Sequence, residues 1–472
     1  MIKVCRYKDI ISLAGSADET LLRSFADDAT SRLLADLSCG AAFALGKGQS
    51  GVLGAFLAAA CAGKGIKTAV FAEENLPEKA IKPLVGSKTE VKSLSDFTCS
   101  SVVIDCLSPD KFTKKPGREL VSVAKKINAC RDCVKISVLS PFGLNPDSGE
   151  STGFAVVADK TLCFSAAASG LILSDGLNYS GELIVIGDCP VRFLGSITDE
   201  NFATLPKRKR VGHKGVYGKI SVIGGSDTMP GAPLMAYGSA VAASVSGAGL
   251  VRLCVGENEK CAYKSRVTEQ TLFFLPEKDG FIRFDQSKLR EIIEYSDVIA
   301  LGPGMGNNPF LPEIIGFLCK NFNKTLILDA DALNAVAKNS DSIKNHVAKL
   351  ILTPHIGEFA RLAPEIKPFD IKKVKSFARE NKCVLVLKSA CTVITDGVSV
   401  FFNTSGTPAL AKGGSGDVLS GIIAAYSAVC SPLEAAAKAC YRFGKTAERA
   451  AGITGEEALL ARDVIAALQD EK

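Results

Sequence analysis

Short apolar runs that break off at glycine, aspartate, histidine or lysine recur along almost the whole sequence and constrain its fold more than any other feature. Before residue 190 they read AAFALG, TAVFAEE, SVVIDCL, VKISVLS, LCFSAA and ELIVIGD. A second series follows: KISVIGG, VRLCV, DVIALGPG, TLILDADAL, KLILTPH, CVLVLKS, TVITDG and SVFFNTS. Runs that are apolar throughout, rather than alternating, are strands covered on both faces, and the helical stretches between them supply the cover. The rhythm therefore predicts an α/β protein with parallel sheets and crossover helices. It breaks at DENFATLPKRKR (199–210), where a proline and a charge run intervene. A chain of 472 residues also exceeds what one core usually organises, so two domains are expected, 1–205 and 206–472. In such sheets ligands bind beyond the carboxyl ends of strands, where the polar residues of the second series concentrate.

Composition narrows the function. The net charge is +6, but the basic residues are dispersed, and the one dense cluster, Lys207 to Arg210, reads as a solvated linker rather than a nucleic-acid site. The sixteen cysteines lie in apolar segments such as IDCL and VRLCV, where cysteine serves as a small core residue in a reducing compartment. Cys130 and Cys133 form the only CxxC, with three histidines in the chain and no second pair at zinc spacing. MIKVCRYKDI lacks the apolar core of a signal peptide. Residues 234–251 (LMAYGSAVAASVSGAGLV) are long enough to span a membrane, yet glycine, alanine and serine dominate and VRLCV follows at once. A buried helix followed by a strand is expected there. These features point to a cytoplasmic protein that engages neither membrane nor nucleic acid.

The chemistry concentrates at strand ends. GGSGDVLSG (413–421) sets one carboxylate, Asp417, between a glycine run and an apolar helix. Glycines there bare backbone N–H groups to an anion, so Asp417 reads either as a helix cap or as a base beside an anion hole. LILDADALN supplies Asp329 and Asp331, and LILTPHIGEF supplies His355 and Glu358. Several carboxylates converging on a glycine-rich helix start suit phosphoryl transfer: water-mediated Mg²⁺ binding, a phosphate cradle and a base for the accepting hydroxyl. No G-x-x-x-x-G-K-[ST], H-E-x-x-H or G-x-S-x-G motif is present.

The ordered set GHKGVYGKISVIGGS (212–226), GA (231–232), GAGLVRL (247–253), LGPGMG (301–306), LDADALN (328–334), TPHIGE (353–358), KSACT (388–392) and GGSGDVLSGII (413–423) resembles the ADP/ATP-dependent NAD(P)H-hydrate dehydratases of the ribokinase-like fold. The resemblance spans residues 207–472. It implies an enzyme that phosphorylates the hydroxyl of a hydrated reduced nicotinamide, (6S)-NADHX or NADPHX, after which phosphate leaves and NADH or NADPH is restored. It implies Asp417 as the general base and Ala232, Gly306 and His355 at the substrate. Lys388, Ser389, Ala390, Cys391, Thr392 and Gly416 would line the adenine nucleotide, ADP or ATP, and Glu358 would organise Mg²⁺ through water. Ser389 departs from the glycine usual in this KGxxT segment, and Met229 stands where an aromatic residue often precedes GA. An ordinary ribokinase-like kinase of a vitamin-precursor alcohol is the alternative, disfavoured by TPHxGE together with GHKGxYG. Homo-oligomers are usual for the family.

The first half resembles NAD(P)H-hydrate epimerase, a Rossmann-like parallel sheet with helices on both faces that interconverts the R and S hydrates. The resemblance runs through GKGQSGVLG (46–54), VVIDCL (102–107), SVLSPFGLNPDSGE (137–150), ADKTLCF (158–164) and GELIVIGD (181–188). Where the family reads GxGNNGGDG this chain has Gln49, Ser50 and Leu53, and the catalytic aspartate of its DxPSG motif falls on Leu139. Asp105 matches an acidic residue that helps hold potassium. Leucine neither exchanges a proton nor ligates a cation, so the resemblance implies an epimerase fold that has lost its activity, unless Asp147 or Asp105 substitutes.

Overall fold

The computed structural model describes all residues except Ser38, Val191, Thr228–Pro230, Glu259 and the last two; the side chains of Ala232, Pro233 and Ala262 also lie outside the described set. The chain divides into two compact units, Ile2–Ser196 and Ile197–Lys472, with Met1 belonging to the latter.

The first unit is built on seven parallel strands: β1 (Ala41–Leu45), β2 (Thr68–Ala72), β3 (Glu90–Ser93), β4 (Val102–Cys106), β5 (Val134–Val138), β6 (Lys160–Phe164) and β7 (Glu182–Ile186), in the order β3-β2-β1-β4-β5-β6-β7. Every residue of β1 and β4 is buried, which explains their unbroken apolar sequences. Helix α1 (Gln49–Gly63) leaves β1 through Gly46–Gly48. A side chain at Gly51 would run into the Gly46 carbonyl, so the glycines of this loop serve close backbone approach.

The second unit repeats the same order. Strands β8 (Lys219–Ile223), β9 (Leu250–Gly256), β10 (Thr271–Leu275), β11 (Val298–Leu301), β12 (Thr325–Leu328), β13 (Lys349–Leu352) and β14 (Cys383–Leu387) run parallel as β10-β9-β8-β11-β12-β13-β14. The antiparallel strands β15 (Thr392–Thr395) and β16 (Val400–Asn403) extend it, joined through Asp396-Gly397, where Gly397 takes φ +88°. The strand order reverses between β8 and β11, the point at which open α/β sheets bind ligands beyond the carboxyl ends of their strands.

The run at 234–251 forms helix α2 (Ala232–Val245) followed by β9, as its composition predicts. It packs against helix α5 (Ser415–Ser427) so closely that a side chain at Gly421 would overlap the Ser239 carbonyl oxygen. Among the described residues no helix is long and apolar enough to cross a membrane. The segment after Ser196 packs within the second unit: Asp199 caps a short helix, Glu200–Ala203, and Phe202 stacks on Phe401 at 4.7 Å between ring centroids.

Candidate functional site

Asp417 does not cap its helix. The N-cap is Gly414, held at φ +91°, with the Ala461 methyl 3.1 Å from where its own side chain would begin; Asp417 sits three residues on, in the first turn. A left-handed start bends the chain so that the N–H groups of Ser415 to Asp417 share one end of the helix. The Asp417 carboxyl is buried, and burial first, then the nearby charge of Asp329, pushes its pKa up to about 7 against the opposing pull of Lys388.

That opposing charge is itself anchored. The Lys388 ammonium donates to Asp329 Oδ1 at 2.9 Å, and Ser420 Oγ donates to Asp329 Oδ2. Asp329 ends β12 and Lys388 ends β14, while Ser420 lies one turn beyond Asp417 on α5. Three elements thereby meet at one buried carboxylate. Burial alone would raise the Asp329 pKa, but Lys388 and Ser420 outweigh it and hold the carboxyl below its ordinary value. Burial opposes the charge on Lys388, yet Asp329 and Glu358 raise its pKa above the usual range. A side chain at Gly416 would begin 3.2 Å from the Lys388 ammonium, so the cation faces the glycine turn directly.

Ala330 takes φ +48°, an unfavourable value for a residue with a side chain, and lies between the two aspartates of DADAL. The bend sends their carboxylates different ways. Asp331, first residue of helix α3 (Asp331–Lys338), accepts from the Gly306 N–H at 2.7 Å, tying the LGPGMG turn to the site.

His355 caps helix α4 (Ile356–Leu362). Its Nδ1 accepts from the N–H groups of Gly357 at 3.0 Å and Glu358 at 3.3 Å, while Glu358 Oε2 accepts the His355 N–H at 2.8 Å. Nδ1 is therefore the acceptor nitrogen, and Nε2 lies 3.5 Å from Glu358 Oε1. The imidazole remains 55% exposed, so its ring stays open to a ligand despite capping the helix. Burial raises the Glu358 carboxyl above its usual pKa. The H-x-x-E spacing of a capping box was available in TPHIGE, though its residue types are unusual for one.

KSACT folds into the turn between β14 and β15: Ser389 Oγ donates to the Cys391 carbonyl at 2.5 Å, and Thr392 Oγ1 to the Ser389 carbonyl at 3.2 Å. Ala390 is exposed, Ser389 half-buried, and Cys391 and Thr392 buried. Ala232 begins α2, but its side chain lies outside the described set, as does Met229 altogether.

Among the described residues no three histidine, cysteine, aspartate or glutamate side chains form a metal cage. Asp329 is committed to Lys388 and Ser420, whereas Glu358 Oε1 lies 3.5 Å from the His355 imidazole and feels the charge of Lys388. Mg²⁺ that arrives on nucleotide phosphates and keeps much of its water shell needs only one or two such carboxylates, so this donor set fits it.

In the first unit, Asp105 ends β4 with a buried carboxylate that accepts from Ser137 Oγ at 2.8 Å, the Phe142 N–H at 2.9 Å and the Leu107 N–H at 3.1 Å. Burial raises its pKa over the opposing effect of these donors. A carboxylate so sealed and shared does not fit a potassium site. Leu139 is buried with φ +67°, Leu53 is buried, and exposed Asp147 accepts from the Tyr7 N–H at 2.7 Å.

Comparison with known proteins then places both halves. Residues 220–470 match the NAD(P)H-hydrate dehydratase family, and residues 19–170 match the family described as YjeF-related protein N-terminus. The bifunctional NAD(P)H-hydrate repair enzyme of Moorella thermoacetica is 34% identical over 389 residues, covering 78% of this chain and 72% of its own. A solved ribokinase-like superfamily protein from Enterococcus faecalis is 25% identical, with a TM-score of 0.51 over 59% of this chain and 96% of its own. An ADP/ATP-dependent NAD(P)H-hydrate dehydratase from Bacillus subtilis, co-crystallised with ATP and Mg²⁺, is 30% identical over 57% of this chain and 94% of its own, with a TM-score of 0.48.

Proposed function

Since the chain belongs to the NAD(P)H-hydrate dehydratase family, joined as in the bifunctional NAD(P)H-hydrate repair enzymes to an epimerase-type module, we propose that residues 206–472 dehydrate (6S)-NADHX and NADPHX at the expense of ADP or ATP. The observation that carries this reading is the Asp417 carboxyl, buried with a pKa of about 7 beside the glycine turn of α5.

A base poised near neutrality suits removal of a proton from a hydroxyl that attacks phosphorus. Asp417 takes that proton as the hydroxyl oxygen of the hydrate bonds to the terminal phosphorus of the nucleotide and the bond from that phosphorus to its bridging oxygen breaks, releasing AMP from ADP or ADP from ATP. The N–H groups of α5 and the Lys388 ammonium face the charge that spreads over the phosphoryl oxygens. Glu358 would hold Mg²⁺ through water, and the ion would neutralise charge on the nucleotide phosphates when bound. Phosphate is a far better leaving group than hydroxide. The ring nitrogen lone pair expels it, the neighbouring carbon loses a proton, and the reduced nicotinamide returns. His355, Gly306 and Ala232 border the ring in this reading, and Lys388 to Thr392 with Gly416 border the nucleotide.

For residues 1–205 the reading is an epimerase fold without epimerase activity. Its support is Leu139, Gln49, Ser50 and Leu53 at the motif positions, and Asp105 already engaged by three donors. A cytoplasmic location fits the many buried free thiols, such as Cys106, Cys163 and Cys254.

The test supplies purified S-hydrate with Mg²⁺ and ADP or ATP, and follows the return of reduced-nicotinamide absorbance. No return with either nucleotide would sink the dehydratase reading.

A further inference from the structure

In the second unit a small hairpin, which none of the motifs or reaction steps involves, ties together the glycine-rich turns after β8 and β11. Its strands Glu277–Lys278 and Phe281–Ile282 pair antiparallel across Asp279 and Gly280, which take φ +54° and +79°. Positive φ at both central residues is the two-residue turn whose twist suits a hairpin, so Asp-Gly itself specifies the shape of the tip.

The hairpin fastens the ends of three strands. Its tip holds the turn after β8, where the Gly280 carbonyl accepts both Ser226 Oγ and the Asp227 N–H at 3.1 Å. Its second strand holds the segment after β11, where the Ile282 carbonyl accepts Asn308 Nδ2 at 2.8 Å. Its foot sits on the end of β9: Glu277 Oε2 accepts the Asn258 N–H at 2.6 Å, and a side chain at Gly256 would overlap the Glu277 carboxyl. β9, β8 and β11 are neighbours in the sheet, and the strand order reverses between the last two. The two glycine turns also meet directly, the Gly225 N–H donating to the Pro303 carbonyl at 2.9 Å. Asn308 makes the join on the β11 side. It is 5% exposed, and its Oδ1 accepts the Phe310 N–H at 2.8 Å while Nδ2 serves Ile282. The two ends of one buried amide therefore fix two segments against each other. These bonds end on β8, β9 and β11, whereas Asp329, Lys388 and Asp417 belong to β12, β14 and α5.

We propose that this hairpin is a strap that positions the hydrated nicotinamide ring, with Asn308 as a positioning residue that acts through the turns it joins. By holding Ser226 and Asn308 it sets the spacing of the segments that lead to Ala232 and contain Gly306. The inference rests on the dehydratase reading for the place of the ring. Turns released from the strap have to be ordered by the ligand itself, so the cost falls on binding of the hydrate rather than on the phosphoryl step.

The test compares the full-length wild type with Asn308→Ser, which keeps an oxygen for the Phe310 N–H but is too short to reach Ile282, and with the milder Ser226→Ala. At saturating nucleotide, Asn308→Ser should raise the S-hydrate KM about fivefold or more, with kcat and the nucleotide KM within about twofold of wild type. Ser226→Ala should raise the S-hydrate KM by about twofold, since the Asp227 N–H still holds the Gly280 carbonyl. Amide hydrogen exchange, read by mass spectrometry, should quicken in Asn308→Ser over residues 222–227 and 302–308 and match the wild type over 413–421. An unchanged S-hydrate KM in Asn308→Ser, a nucleotide KM that rises in parallel, or exchange that quickens equally across the whole second unit would each overturn the assignment. Absence of turnover by the wild type is instead the failure of the dehydratase reading, and exchange unchanged at both turns would then still refute the strap.

Discussion

Replacing Asp417 by asparagine should destroy activity and stabilise the protein at the same time. Asparagine keeps the shape of the side chain but carries no charge and removes no proton. Burial and Asp329 hold the Asp417 carboxyl at about 7, against an ordinary 3.8. The folded state therefore keeps a proton that the unfolded chain has already lost, and stability falls as pH rises from about 4 to 7 before levelling off. At pH 8 the ionised carboxylate costs the fold about 4 kcal/mol, taking about 1.4 kcal/mol for each tenfold change in proton affinity. Asp417→Asn removes that cost at pH 8 and changes little near pH 4, where the carboxyl is protonated in both states. Chemical denaturation of both proteins at pH 4, 6 and 8 should show a gap that widens with pH in favour of the variant. Dehydration of S-hydrate should fall at least ~100-fold, the usual contribution of a positioned base. Wild-type turnover should rise as pH passes through about 7. A gap independent of pH would refute the buried-charge argument, and undiminished turnover in the variant would refute the base.

Further outcomes follow from neighbouring contacts. Asp329→Asn strands the Lys388 ammonium without its carboxylate and should cost about 3–5 kcal/mol, read by denaturation, with much of the loss recovered in the double variant Asp329→Asn/Lys388→Met. Gly421→Ala forces α2 and α5 apart at the Ser239 carbonyl and should destabilise by about 1–3 kcal/mol without altering the nucleotide KM. R-hydrate, offered at a pH and time where spontaneous epimerisation is slow, should be consumed no faster than it epimerises unaided; consumption as fast as that of S-hydrate would show an active first unit.

How much of this was legible in the sequence depends on the range of the interaction. The parallel architecture was, because strands buried on both faces advertise themselves by unbroken apolar runs. Strand β3, with all four residues of EVKS exposed, left no such mark, and β10 is likewise an edge strand. The antiparallel turn through Asp396-Gly397 was written in plain turn chemistry but submerged in a parallel rhythm. Asp417 was legible as a choice between cap and base, and the left-handed Gly414 removes the cap. What no local pattern encodes is the ion pair of Asp329 with Lys388, 59 residues apart, or its effect on a third group, Asp417 on α5. His355 and Glu358 were legible as site residues; the spacing for their mutual capping was present too, but with histidine in place of the usual serine or threonine it depends on the imidazole turning back on its own helix.

Leu139 holds a backbone geometry that its side chain does not favour, at a cost of about 1–2 kcal/mol relative to a residue at ease with positive φ. Its N–H still bonds the Leu162 carbonyl at 2.8 Å, so the loop keeps its path whichever residue occupies the position. Aspartate tolerates that geometry better than leucine does. The backbone of this loop is thus ready for other side chains: Leu139→Asp would place a carboxylate there with no rebuilding of the main chain, making the first unit a chassis for installing proton-transfer chemistry by design.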